Sequence, residues 1–398
     1  MGLLECAMII PMNLSEAVAM LIGRPVELVD LLSEADRRNL VARLRVTSGA
    51  DAGRTVIAKQ TVGFDLPDTT EEDRLRFFRE AAAATLLTRL APGEHTPRCW
   101  GSDRSTGLMI FDDLGTDATL VQPLLDGSAG AARSAMISFV RRLAAIHGAT
   151  AYRSADWDRT VTDLGAPAAL LTEQVLARYG RGIDDGAQGL DRLQNELGLS
   201  PAGNPHGLAA ELDSVKQTLT RPGPFTVLVH NDPCPDNVVI TSSGARLLDF
   251  EFGRPGHALI DGLYPQLPFP SCWCCNRVPD DLGAELAWFY RADLAVRIPQ
   301  AADDALYAEA TVHVMAYWLL MSFESIAEDV PVESRTWGIA STRSRALTRL
   351  DTFIHTANAT GRLSELAELA QRIRAELAVR WTEADQLPIY PGFSAAVG

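Results

Sequence analysis

The stretch VLVHNDPCPDNVVITSSGARLLDFEFG, residues 227–253, gathers a histidine, two amides and several carboxylates around short apolar runs. Residues 238–240 and 246–248 flank Thr-Ser-Ser-Gly-Ala, which reads as a hairpin turn. A hairpin centred on Ser243 sets Val238 opposite Leu248 and, one step further out, Asn237 opposite Asp249. Directly opposed residues on such a pair lie about 5 Å apart. An amide oxygen and a carboxylate at that separation can share one small hard cation, and magnesium takes few protein oxygens beside waters and phosphates. Asp232 lies in the loop ahead of Asn237. It can face the same space without touching a cation, as a general base does.

These side chains need a frame. NLVARLRV (39–46) and RTVIAKQ (54–60) read as strands joined through the turn-rich TSGADAG. In the second, alternation puts Thr55, Ile57 and Lys59 on one face and Val56 and Ala58 on the other. PDTTEEDRLRFFREAAAATLLTRL follows as a helix, with Thr69 and Glu72 spaced as a capping box. Leu75, Phe78, Ala82 and Leu86 share one helical face. GLMIFDDLG (107–115) is a short buried strand. Beyond Gly115 the helical period dominates: AARSAMISFVRRLAAIHGAT is amphipathic, and 151–222 holds helical pieces broken by Gly and Pro. Residues 304–328 are apolar almost all round, hence a buried helix, and 361–380 form a last charged helix. The pattern is α+β, with strands early and helices after them.

The chain has 398 residues, of which 47% are apolar and 22% charged, a globular composition long enough for two or three folding units. Its net charge of −15 repels phosphate backbones, which argues against nucleic acid as a partner and favours a cationic ligand. The start, MGLLECAMIIPMNL, has no Lys or Arg before Gly23, unlike a signal peptide. No apolar run reaches the ~20 residues that span a bilayer. Three of the six cysteines crowd into SCWCC, and the six read as free thiols of a reducing cytoplasm rather than a metal cluster.

HNDPCPDN followed by LLDFE resembles the catalytic loop and metal motif of the kinase fold. It is most similar to the small-molecule branch, the aminoglycoside phosphotransferase and choline kinase-like family. That family's usual form is His-Gly-Asp-Leu-His-Pro-Gly-Asn, then Asp-Phe-Glu, then a downstream Asp. His230, Asp232, Pro235 and Asn237 match the loop; Asp249, Phe250 and Glu251 match the next motif; Asp261 in LIDGLYP matches the last. Asn231, Cys234 and Asp236 depart from the pattern without removing a group the chemistry needs. Upstream, VIAKQ resembles the strand whose lysine, here Lys59, grips nucleotide phosphates. FFREAAAATLL resembles the helix whose glutamate, here Glu80, pairs with that lysine. LMIFDDLG resembles the linker whose backbone near Ile110, Phe111 and Asp113 meets the adenine, and RRLAAIHG resembles the family's Leu-x-x-Leu-His helix. There is no glycine-rich loop, which leaves Ser33 to Asn39 as the phosphate lid. The resemblance runs over residues 28–265.

The resemblance implies a bilobal, protein-kinase-like α+β fold. A small antiparallel-sheet lobe would occupy 1–113 and a mainly helical lobe 114–398, with a helical insertion at about 151–222. It implies ATP or GTP as co-substrate, Mg2+ on Asn237 and Asp249, Asp232 as the catalytic carboxylate, and His230 with Asp261 as support for the loop. The acceptor would be a small-molecule hydroxyl, on an aminoglycoside or other antibiotic, or on choline, homoserine or a thio-sugar. Glu251, Glu324 and Glu328 are the acceptor-site candidates. The last two share a helix face near its C-terminus, where acids oppose the helix dipole and would suit a cation. A non-catalytic nucleotide-binding module would require a broken catalytic set, and none is broken. A protein kinase is disfavoured by the absence of Ala-Pro-Glu and of a long segment after Asp249. Neither nucleic acid nor membrane is expected as a partner.

Overall fold

The computed structural model describes residues 14–33, 38–64, 69–115, 118–200 and 203–394. The first residues and most of the lid expected at Ser33–Asn39 lie outside them. The chain forms two compact units. One comprises Met1–Asp117, Ala155–Leu170 and Arg246–Gly253; the other comprises Ala118–Ser154, Leu171–Ala245 and Arg254–Gly398. The segment carrying Asp249 therefore folds with the first unit, although it follows the boundary expected at residue 113.

In the first unit, strands β1 (Val26–Leu31), β2 (Asn39–Val46), β3 (Thr55–Thr61), β4 (Cys99–Asp103) and β5 (Leu108–Asp112) form one antiparallel sheet in the order β1-β2-β3-β5-β4. Helix α1 (Leu14–Ile22) puts Leu14 and Val18 against Ala42, Leu44, Val56, Ala58 and Ile110. Val56 and Ala58 are buried on that face, so Lys59 projects from the opposite one, as alternation requires. Helix α2 (Glu71–Leu90) carries a buried run of alanines, Ala81 to Ala84, whose small side chains let its backbone lie close. Its cap is Thr70, not Thr69: the Thr70 hydroxyl accepts the Asp73 N–H at 3.1 Å, while the Thr69 hydroxyl donates to the Gly63 carbonyl. Phe77, rather than Phe78, is the buried ring, 4.9 Å from Phe64.

The second unit is mostly helical. Helix α3 (Val121–Leu125) leads into α4 (Ala129–Thr150). Helix α5 (Ser154–Asp163) groups almost wholly with the first unit. Helices α6 (Thr172–Leu197) and α7 (Pro205–Thr220) follow, and then β6 (Thr226–Val229). Strands β7 (Val238–Thr241) and β8 (Gly244–Leu247) make a hairpin, and β9 (Arg254–His257) pairs antiparallel with β6. Helices α8 (Leu259–Gly262), α9 (Asp280–Ala295), α10 (Asp304–Asp329), α11 (Thr342–Thr360) and α12 (Ser364–Arg380) complete it. Helix α10 packs against α6, α7 and α11, and its buried Val312, Leu319, Leu320 and Phe323 account for its nearly all-round apolar sequence. Among the described residues no helix is long and apolar enough to cross a membrane. Cys234 and Cys272 form a disulfide, which corrects the expectation that all cysteines are free; Cys99, Cys274 and Cys275 are buried and unbridged.

Candidate active site

In the first unit β3 and α2 bring Lys59 and Glu80 together, with Nζ 2.6 Å from Oε2. Lys59 Nζ is also 2.6 Å from Asp249 Oδ1. Glu80 is buried, Lys59 nearly so, and the Asp249 side chain is 34% exposed, so the cluster opens to solvent on the Asp249 side. Burial works against the charge on Lys59, but Glu80 and Asp249 outweigh it and hold the ammonium protonated, above its ordinary range. Burial pushes Glu80 up, Lys59 pulls it back and the charge on Asp249 adds to burial, so that it stands raised to about 7. Two carboxylates thus share one ammonium.

Asp249 does not lie on a strand. Strand β8 ends at Leu247, and Asp249 sits at φ 59° immediately before a 3-10 turn, Phe250–Phe252. The hairpin turn is Ser242–Ser243, and Asn237 lies in another 3-10 turn, Pro235–Asn237. Neither residue is a ladder position, so the opposed-strand argument for Asn237 and Asp249 does not hold. A non-glycine residue in the left-handed region is strained, and such strain gathers at functional sites. Asn231 shares this conformation, at φ 67°. Asn tolerates it better than most residues, which gives a physical reason for an Asn where the family pattern has Gly.

Glu251 accepts hydrogen bonds from Arg38 and, at 3.2 Å, from Arg76. Its charge is compensated twice within the first unit. Ile110 and Phe111 cannot offer backbone groups to a nucleotide. Strand β5 lies between β3 and β4, with Ile110 paired to Ala58 and Gly101 and Phe111 to Ile57 and Cys99. The linker expectation therefore moves past β5 to Asp113. There the carboxylate accepts from Arg43 Nε at 2.7 Å and from the Gly115 N–H at 2.9 Å. Burial raises Asp113, but Arg43 and the Gly115 N–H outweigh it and leave it below the usual carboxylate range.

In the second unit β6 ends at the loop that carries Asp232. Asp261, on α8, holds that loop by its backbone: Oδ2 accepts the His230 N–H at 2.6 Å and Oδ1 the Asn231 N–H at 2.9 Å. Asp261 was expected to meet His230, and it does so through the main chain. The imidazole beside Asp261 is that of His147 on α4, with Nε2 3.3 Å from Oδ2. The Tyr290 hydroxyl lies 2.7 Å from His147 Nδ1 and 2.9 Å from the Ala258 carbonyl. His147 is the histidine of RRLAAIHG, the stretch that resembles the family's Leu-x-x-Leu-His helix.

Asp232 Oδ1 accepts from the Tyr264 hydroxyl at 3.2 Å and from the Ser271 hydroxyl. Burial raises the Asp232 carboxyl above its ordinary range, and the Ser271 hydrogen bond works the other way. Asn237 donates its side-chain NH2 to the Asp232 carbonyl at 3.1 Å, which leaves the amide oxygen as its remaining polar atom. Glu324 pairs with Arg192, Glu328 is exposed, and no hydrogen bond or ion pair joins either of them to the Asp232 cluster. A cavity of about 780 Å³ elsewhere in this unit is lined by Gln266, Arg277, Asp280, Thr311, Asp351 and His355, among other residues. None of these was singled out by the sequence.

His257 on β9 is buried, stacks on Phe225 at 5.0 Å, and accepts the Leu259 N–H on Nδ1 at 3.1 Å. Burial first, then His313 and His147, push its pKa down to about 3. The unfolded chain takes up a proton near pH 6.5 and the folded chain does not. His257 therefore contributes stability that is present above about 6.5 and is lost as pH falls towards 3. Denaturant unfolding between pH 6.5 and 4 should lose roughly 1 kcal/mol per pH unit to this group. His257→Gln should flatten that slope, and an equal slope in both proteins would refute the assignment.

The sequence profile of the phosphotransferase enzyme family matches residues 66–264, half of the chain. The match includes Glu80, Asp232, Asn237, Asp249 and Asp261 and begins after Lys59. No curated protein matches in sequence. Among solved structures, the chain is similar to a putative aminoglycoside phosphotransferase from Ralstonia eutropha, at 15% identity over 91% of this chain and 94% of that one, with a TM-score of 0.43. It is also similar to a choline/ethanolamine kinase family protein from Mesorhizobium loti, at 16% identity over 88% and 92%, with a TM-score of 0.44. A third is a macrolide 2'-phosphotransferase from Brachybacterium faecium, at 16% identity over 80% and 98%, with a TM-score of 0.42.

Proposed function

The chain belongs to the phosphotransferase enzyme family, and from that premise we propose that it moves the terminal phosphate of ATP or GTP to a hydroxyl of a small molecule. The observation that carries this reading is the Lys59–Glu80–Asp249 cluster. A permanently charged lysine, aimed by a buried glutamate, suits the grip on nucleotide phosphates. The partly exposed carboxylate of Asp249 suits a divalent cation. Asn237 and Asp249, the residues the family motif points to, each offer oxygen of the kind magnesium takes, and we assign both as its ligands. Magnesium, when bound, neutralises charge on the transferring phosphoryl group. Asp232 accepts or orients the acceptor's hydroxyl proton, on a loop supported by Asp261 and the His230 backbone. The backbone around Asp113, beyond the sheet ladder, meets the adenine.

The acceptor is cationic, of the aminoglycoside type, in keeping with a net charge of −15. Of the three glutamates considered for it, Glu251 is answered by two arginines and Glu324 by one, so Glu328 is the candidate that remains. The direct test incubates the protein with ATP or GTP, magnesium and a panel of aminoglycosides, macrolides and amino alcohols, and looks for products heavier by one phosphate. Lys59→Ala should cost about 2–4 kcal/mol of transition-state stabilisation. Transfer to no acceptor, or wild-type kinetics in Lys59→Ala, would overturn the reading.

A further inference from the structure

We propose that Ser271 is a positioning residue for the Asp232 carboxylate, and that the Cys234–Cys272 disulfide clamps it there. The inference rests on the role of Asp232 given above. Three consecutive residues of the turn after α8 reach three alternate residues of the catalytic loop. Ser271 donates to Asp232 Oδ1, Cys272 is bonded to Cys234, and Trp273 Nε1 donates to Asp236 Oδ2 at 2.9 Å. Cys234 and Asp236 are two of the three loop positions that depart from the family pattern. Each departure supplies one of these ties.

The Ser271 hydroxyl sits on an exposed turn and also contacts the hydroxyl of the fully buried Tyr264, the other group on Oδ1. Arg349 donates to the Pro270 carbonyl and Arg345 to the carbonyls of Cys272 and Trp273, which hold the turn to α11 rather than to the loop. The covalent tie to the loop is the disulfide. Cys234 Sγ lies 3.1 Å from Asp232 Oδ1, but in the disulfide it carries no hydrogen to donate. The two hydroxyls therefore occupy Oδ1 and leave Oδ2 to face the acceptor.

Reduction reverses the arrangement. A thiolate of a dithiol reagent attacks one cysteine sulfur, the S–S bond breaks, and the other cysteine leaves as a thiolate and takes a proton. The reagent's second thiolate then displaces the first cysteine, giving two cysteine thiols and the oxidised, cyclic reagent. Ser271 then loses the covalent tie to the loop, and hydrogen bonds such as Trp273 Nε1 to Asp236 are left to hold the turn there. The Cys234 thiol gains a proton that can compete for Oδ1.

The test compares oxidised protein with protein treated with dithiothreitol until alkylation and mass spectrometry report Cys234 and Cys272 as thiols. In the reduced protein kcat should fall roughly ten- to a hundredfold, the cost of misplacing a reacting group by about 1 Å, while KM for nucleotide stays unchanged. Ser271→Ala should show a similar fall and respond little to further reduction; Ser271→Thr, which keeps the hydroxyl, should recover most of the rate. Hydrogen exchange reads the clamp without needing turnover, and the amides of residues 271–275 should exchange faster on reduction. Unchanged exchange overturns the clamp. Faster exchange with an unchanged kcat, or an undiminished response to reduction in Ser271→Ala, overturns the positioning role. Oxidised wild type that transfers phosphate to no acceptor instead overturns the reading of Asp232 itself.

Discussion

Asp249→Ala is expected to abolish magnesium-dependent nucleotide binding and to lower turnover on the order of a thousandfold. Asp249 is the exposed member of the Lys59 cluster and its one carboxylate open to solvent. Without it Lys59 and Glu80 remain a closed pair, the cation loses its charged oxygen, and the repulsion that helps push Glu80 up disappears. Alanine at φ 59° adds backbone strain, on the order of 1–2 kcal/mol. That strain could be mistaken for a functional loss. Asp249→Asn separates the two effects, because Asn tolerates the left-handed region and keeps the shape while removing the charge. Both variants should lose the heat of Mg-nucleotide binding in calorimetric titration, and Asn should retain wild-type unfolding. Affinity and turnover left intact in the folded Asn variant would end the metal assignment.

What the sequence disclosed of this site follows from the range of each signal. Lys59 and Glu80 were picked out by resemblance to the family's strand and helix, and strand alternation put Lys59 on the face of β3 that it occupies. Thr70 displaced Thr69 as the cap because TTEED offers two hydroxyls in a row and the choice depends on where the chain leaves Gly63. Ile110 and Phe111 were misassigned because β4, Cys-Trp-Gly-Ser-Asp, has neither length nor alternation to announce it. Without β4 the strand β5 looks like an edge with spare backbone groups. Asn237 and Asp249 were picked out by motif but given the wrong local geometry, since a two-residue turn at Ser242–Ser243 shifts the pairing, ends β8 at Leu247 and leaves both outside the ladder. The Cys234–Cys272 bond joins residues 38 apart in sequence, and pairing depends on Cα separation, here 5.6 Å, which no local pattern encodes. Tyr264 and Ser271 were missed for the same reason: their roles appear only once the turn after α8 meets the loop.

Asp232→Asn is expected to keep Mg-nucleotide binding and to lose roughly a hundredfold or more of phosphoryl transfer. The grounds are a division of labour visible in the contacts. Lys59, Glu80 and Asp249 form one cluster. Asp232 forms another, with Tyr264, Ser271 and the Asn237 amide, the last through its backbone carbonyl. Asparagine is nearly isosteric, and its amide oxygen can still accept the Tyr264 and Ser271 hydroxyls at the Oδ1 position. The loop, held by Asp261 through the His230 and Asn231 N–H groups, should therefore stay where it is. At the Oδ2 position, however, an NH2 group replaces an oxygen. It can donate to the acceptor's hydroxyl but cannot take its proton, so the loss falls on kcat and not on nucleotide affinity. A loose transition state asks little of a base, which keeps the expected loss well short of the whole rate enhancement. Product formation, followed as the mass of one added phosphate beside calorimetric binding of Mg-nucleotide, reads both quantities in the same preparation. If Asp232→Asn transfers phosphate as fast as the wild type, Asp232 is not the catalytic carboxylate. If both proteins bind nucleotide and neither transfers, the chain is a nucleotide-binding module rather than a kinase.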